Sequence, residues 1–352
     1  MHTPMSALLL NAPQREAIHY LDGPSLVLAG AGSGKTRVIT QKIAYLITEC
    51  GFNPHNIAAI TFTNKAAKEM LERINKLMGG RATKGLTVCT FHALGVRIVR
   101  QESKLLGLKP QFSILDASDT TQIIAEMTGN TDKNRAKALQ WQISSWKNAL
   151  IEPNEAAHLA NDEISSSAAL LYQEYDKTLR AYHGVDFDDL IRLPVKLFDE
   201  HPEVRERWQN KLRYLLVDEY QDTNRAQYRL LKLLAGVRGA FTAVGDDDQA
   251  IYAWRGADVE NLRQLPVDYP RLKVIKLEQN YRSTTRILHA ANTVIANNEK
   301  LFEKKLWSEH GAGEPVTVVA CQTPEHEAES VVMKLSAHKF EHRTHFKDYA
   351  IL

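Results

Sequence analysis

Three things are scarce in this sequence: an excess of charge of one sign, cysteine, and long apolar runs. Lys and Arg number 44 against 42 Asp and Glu, so the formal net charge is +2. A charge this small excludes a strongly basic protein that attracts nucleic acid over its whole surface. Any nucleic acid must therefore follow a local track. The three cysteines are far apart and odd in number, which argues against a disulfide framework or a zinc site and favours a reducing compartment.

No apolar run reaches the length that crosses a membrane, and the run Ala7–Leu10 is too short for the core of a signal peptide. The sequence also has neither a low-complexity stretch nor a detectable repeat. Its 44% apolar and 24% charged residues are ordinary for globular proteins, and its 352 residues predict two or three domains. We therefore expect a cytoplasmic protein without membrane contact.

The most informative segment, 26–36, is a short apolar run followed by a glycine-rich loop, Lys35 and Thr36. Helical spacing follows, so the predicted order is strand, loop and helix. The backbone N–H groups of such a loop converge on phosphate oxygens, and the helix N-terminus adds partial positive charge. Lys35 is expected to reach the β- and γ-phosphates of a nucleotide, and the Thr36 hydroxyl to bind Mg²⁺. The predicted nucleotide-binding residues of this segment are Ala31, Gly32, Ser33, Gly34, Lys35, Thr36 and Arg37.

The loop departs in one place from the usual phosphate-loop pattern G-x-x-x-x-G-K-[ST]. Its first position is Ala29 instead of glycine, and alanine is small enough for the loop to close. The alternative is a simple glycine-rich turn before a helix. That alternative leaves the combination of Gly34, Lys35 and Thr36 unexplained.

A second motif narrows the chemistry from nucleotide binding to hydrolysis. The apolar run 214–217 ends in Asp218 and Glu219, as in a buried parallel strand whose carboxyl end faces the phosphate loop. Asp218 is expected to hold the Mg²⁺ shell, and Glu219 to polarise a water for attack on the γ-phosphate. A kinase has no need of that water, so the pair favours hydrolysis. The alternative is an ordinary acidic turn after a strand.

Three regions of the chain differ in pattern. Residues 1–88 and 196–277 alternate strands with helices, as in a right-handed parallel α/β fold. Residues 89–195 are dominated by long helical stretches, and strands are hard to find there. Because this region separates Lys35 from Asp218, it is predicted to be a mostly helical insertion, in which Trp141 and Trp146 pack. The predicted strands are Ser25–Leu28, Ile57–Phe62, Thr87–Thr90, Tyr214–Val217, Ala240–Val244 and Leu272–Leu277.

Residues 278–352 are predicted to begin another α/β unit. The pattern there indicates, in order, helix Thr284–Ala296, strand Val316–Ala320, helix Glu325–Leu335 and an apolar strand at Tyr349–Leu352. The chain therefore reads as one complete α/β domain with a helical insertion, followed by part of a second domain.

Seven segments, taken together and in order, resemble the superfamily 1A DNA helicases, the group of the bacterial Rep, UvrD and PcrA helicases. Any one segment alone would be moderate evidence, but the resemblance covers nearly the whole chain. The segments are Gln14, Ala29–Thr36, Thr61–Ala67, Thr90–His92, Val217–Asp222, Gly245–Gly256 and Gln279–Ser283.

The resemblance implies two RecA-like motor domains that use ATP and Mg²⁺ to move 3′ to 5′ on single-stranded DNA. By this resemblance, residues 1–88 and 196–277 form the first motor domain, 89–195 its inserted domain, and 278–352 part of the second. The expected DNA partners are single strands and 3′-tailed duplexes, in replication or repair. Replication proteins and a second copy of the chain are further candidate partners. The family's later motor motifs are missing, so we expect this chain to bind ATP and single-stranded DNA but not to unwind duplexes.

Four residues outside the phosphate loop are assigned to the nucleotide. The carboxamide of Gln14 offers a donor and an acceptor that match adenine N7 and N6. By resemblance, Gln249 senses the γ-phosphate, Tyr281 stacks on adenine, and Arg282 is an arginine finger that stabilises transition-state charge. Lys35, Glu219, Gln249 and Arg282 are thus the predicted catalytic residues. The acidic run before Gln249 is interpreted as a solvated turn without chemistry.

Single-stranded DNA is held by bases stacked on aromatic side chains and by phosphate contacts. Phe62 and Trp254 are the best stacking candidates, followed by Tyr252, although Phe62 could instead be a core aromatic. Arg255 would contact the DNA strand or brace the nucleotide site. Short polar groups near strand ends are suited to phosphates: Thr61, Thr63, Asn64, Thr90 and His92. Such contacts tolerate any base sequence.

Two other classes of protein share this motor core. One is the motor subunit of a helicase–nuclease, which a carboxylate-rich nuclease domain would distinguish; none appears in these 352 residues, and this alternative stays open. The other is a regulatory protein that binds ATP without acting as a motor. Lys35, Asp218, Glu219 and Arg282 argue against that class, because a simple nucleotide binder has no need of a hydrolytic carboxylate or an arginine finger.

Overall fold

The computed structural model describes residues 10–79, 82–129 and 132–352. These residues form eight strands: β1 (Ser25–Ala29), β2 (Ile57–Thr61), β3 (Thr87–Thr90), β4 (Ser113–Leu115), β5 (Gly184–Asp186), β6 (Tyr214–Val217), β7 (Phe241–Gly245) and β8 (Lys273–Leu277). The first seven helices are α1 (Ala12–His19), α2 (Lys35–Thr48), α3 (Asn64–Met78), α4 (Phe91–Gln101), α5 (Ala117–Thr128), α6 (Lys133–Asn148) and α7 (Pro153–Leu159). The remaining helices are α8 (Glu163–Ala181), α9 (Asp189–Glu200), α10 (Pro202–Lys211), α11 (Arg225–Ala235), α12 (Glu260–Asp268), α13 (Thr285–Ile295) and α14 (Pro324–His342).

Six of the strands form one parallel sheet in the order β3-β2-β6-β7-β1-β8, which confirms the predicted α/β fold. Strand β1, next to the edge strand β8, pairs on both sides, with Val27 opposite Val244 of β7 and Ile275 of β8. Strands β1, β2, β6 and β7 are buried along their whole length, as parallel strands covered by helices on both faces should be. Because the strands are parallel, their carboxyl ends lie at one edge of the sheet.

Each face of the sheet has its own hydrophobic core, set by the alternation of side chains along the strands. Leu26 and Leu28 point into one core with residues of α4, α9, α10, α11 and α12. Val27 and Ala29 point into the other with residues of α1, α2 and α3. This period of two fixes the register of β1, since a slip of one residue would exchange the two faces.

The insertion has a separate core around α5, α6 and α8, and the short parallel pair β4–β5 lies beside it. This pair corrects the expectation that strands would be hard to find there. Trp146 is buried in the core as predicted, but the prediction for Trp141 is wrong, because 60% of its side-chain surface is exposed. The two residues are five positions apart, and side chains that share a helix face are three or four positions apart.

A buried ion network joins the insertion to the helix that returns to the sheet. The fully buried Lys147 ammonium lies 2.7 Å from Asp186 and 3.1 Å from Asp189, at the start of α9. Burial alone would lower the pKa of Lys147, but Asp189 and Asp186 outweigh it and hold that pKa well above its usual value. Removing one member would leave uncompensated charge, so the network fixes how α6 meets α9.

Helix α4 leads from the sheet into the insertion, and helix α9 leads from the insertion back toward the sheet. The two helices touch at Gly95. A Cβ added at Gly95 would lie 1.9 Å from the carbonyl oxygen of Leu190. We therefore expect Gly95→Ala to destabilise the protein by about 1–3 kcal/mol, the usual cost of overpacking. Chemical denaturation measures this change. Gly311→Ala is the control, since its Cβ meets no described atom within 4 Å, and an equal loss in both variants would contradict the explanation.

Beyond β8 the helices form as predicted, but two predicted strands do not. Helix α13 matches its prediction closely and α14 is longer than predicted. Residues 316–320 and 349–352 are irregular, and Val316 and Val318 are 60% and 91% exposed. An apolar pattern predicts a strand only if a neighbouring strand supplies ladder hydrogen bonds, and no strand lies beside either segment among the described residues. In the part of the chain described, no helix combines the length and apolar composition needed to cross a bilayer.

Candidate functional site

The predicted site residues collect at the carboxyl edge of the sheet. The loops after β1, β2, β3, β6 and β7 begin there, and they carry the phosphate loop, 61–64, 90–92, 218–222 and 245–249. Ligands of open parallel sheets bind in the crevice outside this edge. The fold thus brings together segments that are as far apart in sequence as Gln14 and Arg282.

The phosphate loop has the backbone that its glycines permit. Gly32 and Gly34 have φ values of 69° and 95°, in the left-handed region where a side chain is strained. The Ser33 hydroxyl donates to the carbonyl of Gly30 at 2.7 Å and closes the loop. Helix α2 then begins at Lys35, with Thr36 and Arg37 in its first turn. Gly34 has no side chain with which to cap this helix, so an anion can take the place of a capping group.

The Lys35 ammonium is held by two residues from other strand ends. It lies 3.0 Å from a carboxylate oxygen of Glu219 and donates to the carboxamide oxygen of Gln249 at 3.4 Å. Glu219 itself has φ 49°, an uncommon conformation for a residue with a side chain. Strain of this kind costs free energy and persists where the surroundings enforce it, often at functional sites. Three of the four predicted catalytic side chains are therefore in direct contact.

The carboxyl groups of Asp218 and Asp222 lie near Glu219, in surroundings that disfavour their charged forms. Burial and the neighbouring Glu219 raise the pKa of Asp218 to about 7, and the same two causes raise the pKa of Asp222 to about 6. One carboxylate oxygen of Asp222 is buried without a hydrogen-bond partner among the described groups. Carboxylate oxygen atoms of this kind are the hard donors that Mg²⁺ prefers.

Gln221 and Asp246 belong to the site, although sequence reasoning gave them no role. The Gln221 amide donates to Glu219 at 2.9 Å, and its carbonyl accepts from the backbone N–H of Asp246 at 2.9 Å. Asp246 in turn accepts from the amide of Gln249. The strand ends β6 and β7 are thus joined through side chains around the hydrolytic candidate. Their only sequence signal was their position inside the motif segments.

Gln14 and Tyr281 lie at the rim of the phosphate loop. Gln14 is buried and donates to the carbonyl of Ser33 at 2.9 Å, while its oxygen accepts from the backbone of Asn11. The side-chain amide of Asn11 donates to the hydroxyl of Tyr281 at 2.9 Å and to Gln279 at 3.1 Å. The Tyr281 ring is 42% exposed, which leaves it available to a planar ligand.

Asn280 anchors Arg282 beside the loop and was also missed. Its side-chain amide donates to the carbonyl of Ala31 at 2.6 Å, and its oxygen accepts from the backbone N–H groups of Arg282 and Ser283. The backbone N–H of Tyr281 donates to the carbonyl of Gly32 at 3.0 Å. The Arg282 side chain is exposed at this edge.

The aromatic candidates also meet, across 190 positions of sequence. The rings of Phe62 and Tyr252 stack with centroids 5.2 Å apart, and Trp254 lies 6.3 Å from Tyr252. Phe62 is half-buried, and Trp254 is 65% exposed. The backbone of Arg255 continues this turn, but its side chain lies outside the described part of the structure. Together Phe62, Tyr252 and Trp254 are called the aromatic platform below.

The small polar candidates are less free than the sequence suggested. The hydroxyls of Thr63 and Thr90 accept backbone N–H groups as caps of α3 and α4, and the buried Thr61 donates to the carbonyl of Thr63. Asn64 is exposed in the first turn of α3. Burial disfavours the charged form of the His92 imidazole and so lowers its pKa, and the ring contacts Phe187. Phosphates would therefore meet two helix N-termini and uncharged donors here.

Comparison with known proteins identifies relatives over nearly the whole chain. The profile of the UvrD/REP helicase N-terminal domain matches residues 10–270, and that of the UvrD-like helicase C-terminal domain matches residues 275–352. The chain is 54% identical to the ATP-dependent DNA helicase Rep of Escherichia coli K12 over 97% of its length and 51% of the relative. It is 44% identical to the ATP-dependent DNA helicase PcrA of Staphylococcus aureus Mu50 over 99% of its length and 48% of the relative. The chain thus spans about half the length of the curated relatives that it matches.

Proposed function

We propose that this chain, which belongs to the UvrD/REP helicase family, carries the ATP-hydrolysing site of a motor that moves 3′ to 5′ on single-stranded DNA and separates 3′-tailed duplexes. The observation that carries the proposal is the cluster of Lys35, Glu219 and Gln249 beside the phosphate loop. In this proposal residues 1–88 with 196–277 are the first motor domain, 89–195 its inserted domain, and 278–352 part of the second.

The pairing of Lys35 with Glu219 supports a mechanism for hydrolysis. The phosphate oxygens of ATP would compete for the Lys35 ammonium, which now lies 3.0 Å from Glu219. Glu219, freed from this partner but still bonded to Gln221, would then orient and deprotonate the attacking water. Gln249 is 3.4 Å from the same ammonium and would register the γ-phosphate at that point.

Mg²⁺ fits the donors on this edge of the sheet. Thr36 and Asp218 would hold it, and their oxygen atoms are of the type that Mg²⁺ takes in nucleotide sites. Bound Mg²⁺ would neutralise charge on the β- and γ-phosphates. The protein's part is to orient these oxygens. The first turn of α2 carries Thr36, and Asp218 directly follows β6.

The other predicted nucleotide residues surround the same space. Tyr281 would stack on the adenine, with Gln14 reading its edge by hydrogen bonds. To bind the base, the side-chain amide of Gln14 would have to give up its hydrogen bond to the carbonyl of Ser33. Arg282, anchored by Asn280 at the loop, would stabilise charge on the phosphates in the transition state.

Single-stranded DNA would run along the aromatic platform and the N-termini of α3 and α4. Exposed Trp254 offers a stacking face, and Tyr252 connects it to Phe62. Thr61, Thr63, Asn64, Thr90 and His92 line the strand ends nearby, where backbone N–H groups and short polar side chains suit phosphates. Tyr252 and Trp254 of the platform lie on the turn that follows Gln249, so DNA and nucleotide would act on one segment of chain.

Replacing Trp254 tests this interface. Trp254→Ala should weaken binding of single-stranded DNA by about 1–3 kcal/mol, the usual value of one base stacked on an aromatic ring. The loss should be similar for oligonucleotides of different sequence, because stacking does not read bases. Fluorescence anisotropy with labelled oligonucleotides measures it, and Trp141→Ala on the exposed surface of α6 is the control. Unchanged affinity in a folded Trp254→Ala variant would remove the platform from the interface.

The direction of movement is tested by duplexes with a single-stranded tail on one side. The intact protein that carries this chain should unwind the 3′-tailed duplex and leave the 5′-tailed duplex unchanged, in an ATP-dependent way. Preference for the 5′ tail would contradict the proposed polarity. Replication proteins and a second copy of the chain are proposed partners, and the cytoplasm is the proposed location.

A further inference from the structure

Lys304 lies in a pocket of three carboxylates on the turn that follows β7. Its ammonium is 2.7 Å from Asp246 and 2.9 Å from Asp248, and it also contacts Asp247. Only 5% of the Lys304 side chain is exposed, and the side chains of Asp246 and Asp247 are equally well buried. The acidic run is therefore not the solvated turn expected from the sequence.

The charges of this cluster depend on one another. One oxygen atom from each of the three carboxylates lies within 4.8 Å of the others, and the Lys304 ammonium contacts all three carboxylates. Burial would lower the pKa of Lys304, but Asp246 and its neighbours outweigh burial and raise that pKa. Without the ammonium, three buried like charges would repel one another and the turn would open.

Asp246 connects this ion cluster to the hydrolytic residues through two short routes. Its carboxylate accepts from the amide of Gln249, whose oxygen faces the Lys35 ammonium. Its backbone N–H donates to Gln221, whose amide donates to Glu219. A change in the position of Asp246 would therefore move both Gln249 and Glu219.

The segment that carries Lys304 lies after β8 and also contacts the phosphate loop. A Cβ added at Gly30 would lie 2.3 Å from the Leu306 side chain, so Leu306 packs directly on the loop. The backbone N–H of Asn280 donates to the carbonyl of Trp307 at 2.7 Å, and Asn280 in turn anchors Ala31. Residues 304–307 thus contact both the nucleotide loop and the acidic turn.

We propose that Lys304 is a positioning residue that couples residues 278–352 to the hydrolytic centre by holding the acidic turn 246–248. When the segment 304–307 is seated, the turn aims Gln249 and Gln221 at Lys35 and Glu219. When the segment moves away, the turn opens and the chemical step slows. This inference rests on the proposed ATP hydrolysis. It adds that Lys304 makes the rate of hydrolysis depend on the position of residues 278–352.

Lys304→Met tests the proposal, because methionine keeps the length of the side chain and removes the charge. We expect the rate of ATP hydrolysis in a single turnover of the intact protein to fall by about 2–30-fold, the range found for coupling residues. Affinity for a fluorescent ATP analogue should not change, because the phosphate loop is intact. Lys305→Met, the same substitution at an exposed neighbour, is the matched control and should leave both quantities unchanged.

A second variant keeps the test decisive if Lys304→Met does not fold. Asp248→Asn removes the most exposed of the three carboxylates and should slow hydrolysis by a smaller factor, again without loss of affinity. The double variant should be slower than the parent by less than the product of the two single factors, since both changes act on one contact. Parent-like hydrolysis in Asp248→Asn and Lys304→Met, or equal losses of affinity and rate, would overturn the proposal. Absence of hydrolysis in the parent protein would instead contradict the proposed function on which it rests.

Discussion

Replacing Glu219 with glutamine should slow ATP hydrolysis by about 10²–10⁴-fold, the usual contribution of a general base. Glutamine keeps the shape of the side chain and can still accept from Gln221, but it cannot take a proton from water. Binding of ATP should persist, because the phosphate loop and the first turn of α2 are untouched. Single-turnover hydrolysis, combined with a nucleotide-binding titration, separates the two effects.

The matched control for this substitution is Glu206→Gln on the exposed face of α10. It makes the same chemical change far from the strand ends and should hydrolyse ATP at the parent rate. A Glu219→Gln variant as fast as Glu206→Gln would show that another group activates the water. Asp218 and Asp222 would then be the next candidates, since both are close enough for Glu219 to raise their pKa values.

Loss of the Arg282 side chain should have the other large effect. Arg282→Ala is expected to reduce turnover by about 10³–10⁵-fold, the value of an arginine that stabilises charge on the transferring phosphoryl group. The side-chain oxygen of Asn280 accepts the backbone N–H of residue 282, and its side-chain amide donates to the carbonyl of Ala31 in the phosphate loop. The substitution therefore removes the guanidinium without releasing this segment from the loop. Steady-state kinetics at saturating ATP measure the effect.

Arg286→Ala provides the comparison within the same segment. Arg286 is the second residue of α13, and its guanidinium donates to the carbonyl of Gly313 and not to the phosphate loop. Its loss should leave turnover unchanged. If Arg282→Ala raised the concentration of ATP needed for half-maximal rate but left the maximal rate intact, Arg282 would be a binding residue and not an arginine finger.

The parts of the fold that the sequence predicted are those with a local cause. Continuous apolar runs bounded by turn residues predicted all six strands of the main sheet to within about two residues. The order of strand, glycine-rich loop and helix predicted the phosphate loop, because Gly32 and Gly34 are required where φ is positive. Since all six strands are parallel, the motif segments at their ends had to meet at one edge.

The parts that were missed depend on contacts between distant segments. Lys304 and Asp246 are 58 positions apart, and nothing in the pattern of either segment indicates that an ammonium will enter the acidic turn. The predicted strand at 316–320 is wrong for a related reason, because its valines have an apolar pattern but no strand beside them in the described part of the chain. Similarly, Trp141 and Trp146 look alike in sequence, and only the packing of α6 against α8 buries one and exposes the other.

The central claim is that the Lys35–Glu219 site hydrolyses ATP in response to DNA bound at the aromatic platform. The most direct test is steady-state ATP hydrolysis by the intact protein, with and without a single-stranded oligonucleotide. We expect the oligonucleotide to stimulate hydrolysis in the parent, and Trp254→Ala to need more DNA for the same stimulation. Glu219→Gln should bind ATP but turn it over about 10²–10⁴-fold more slowly than the parent. Hydrolysis that is the same with and without DNA, or that is as fast in Glu219→Gln as in the parent, would contradict this claim.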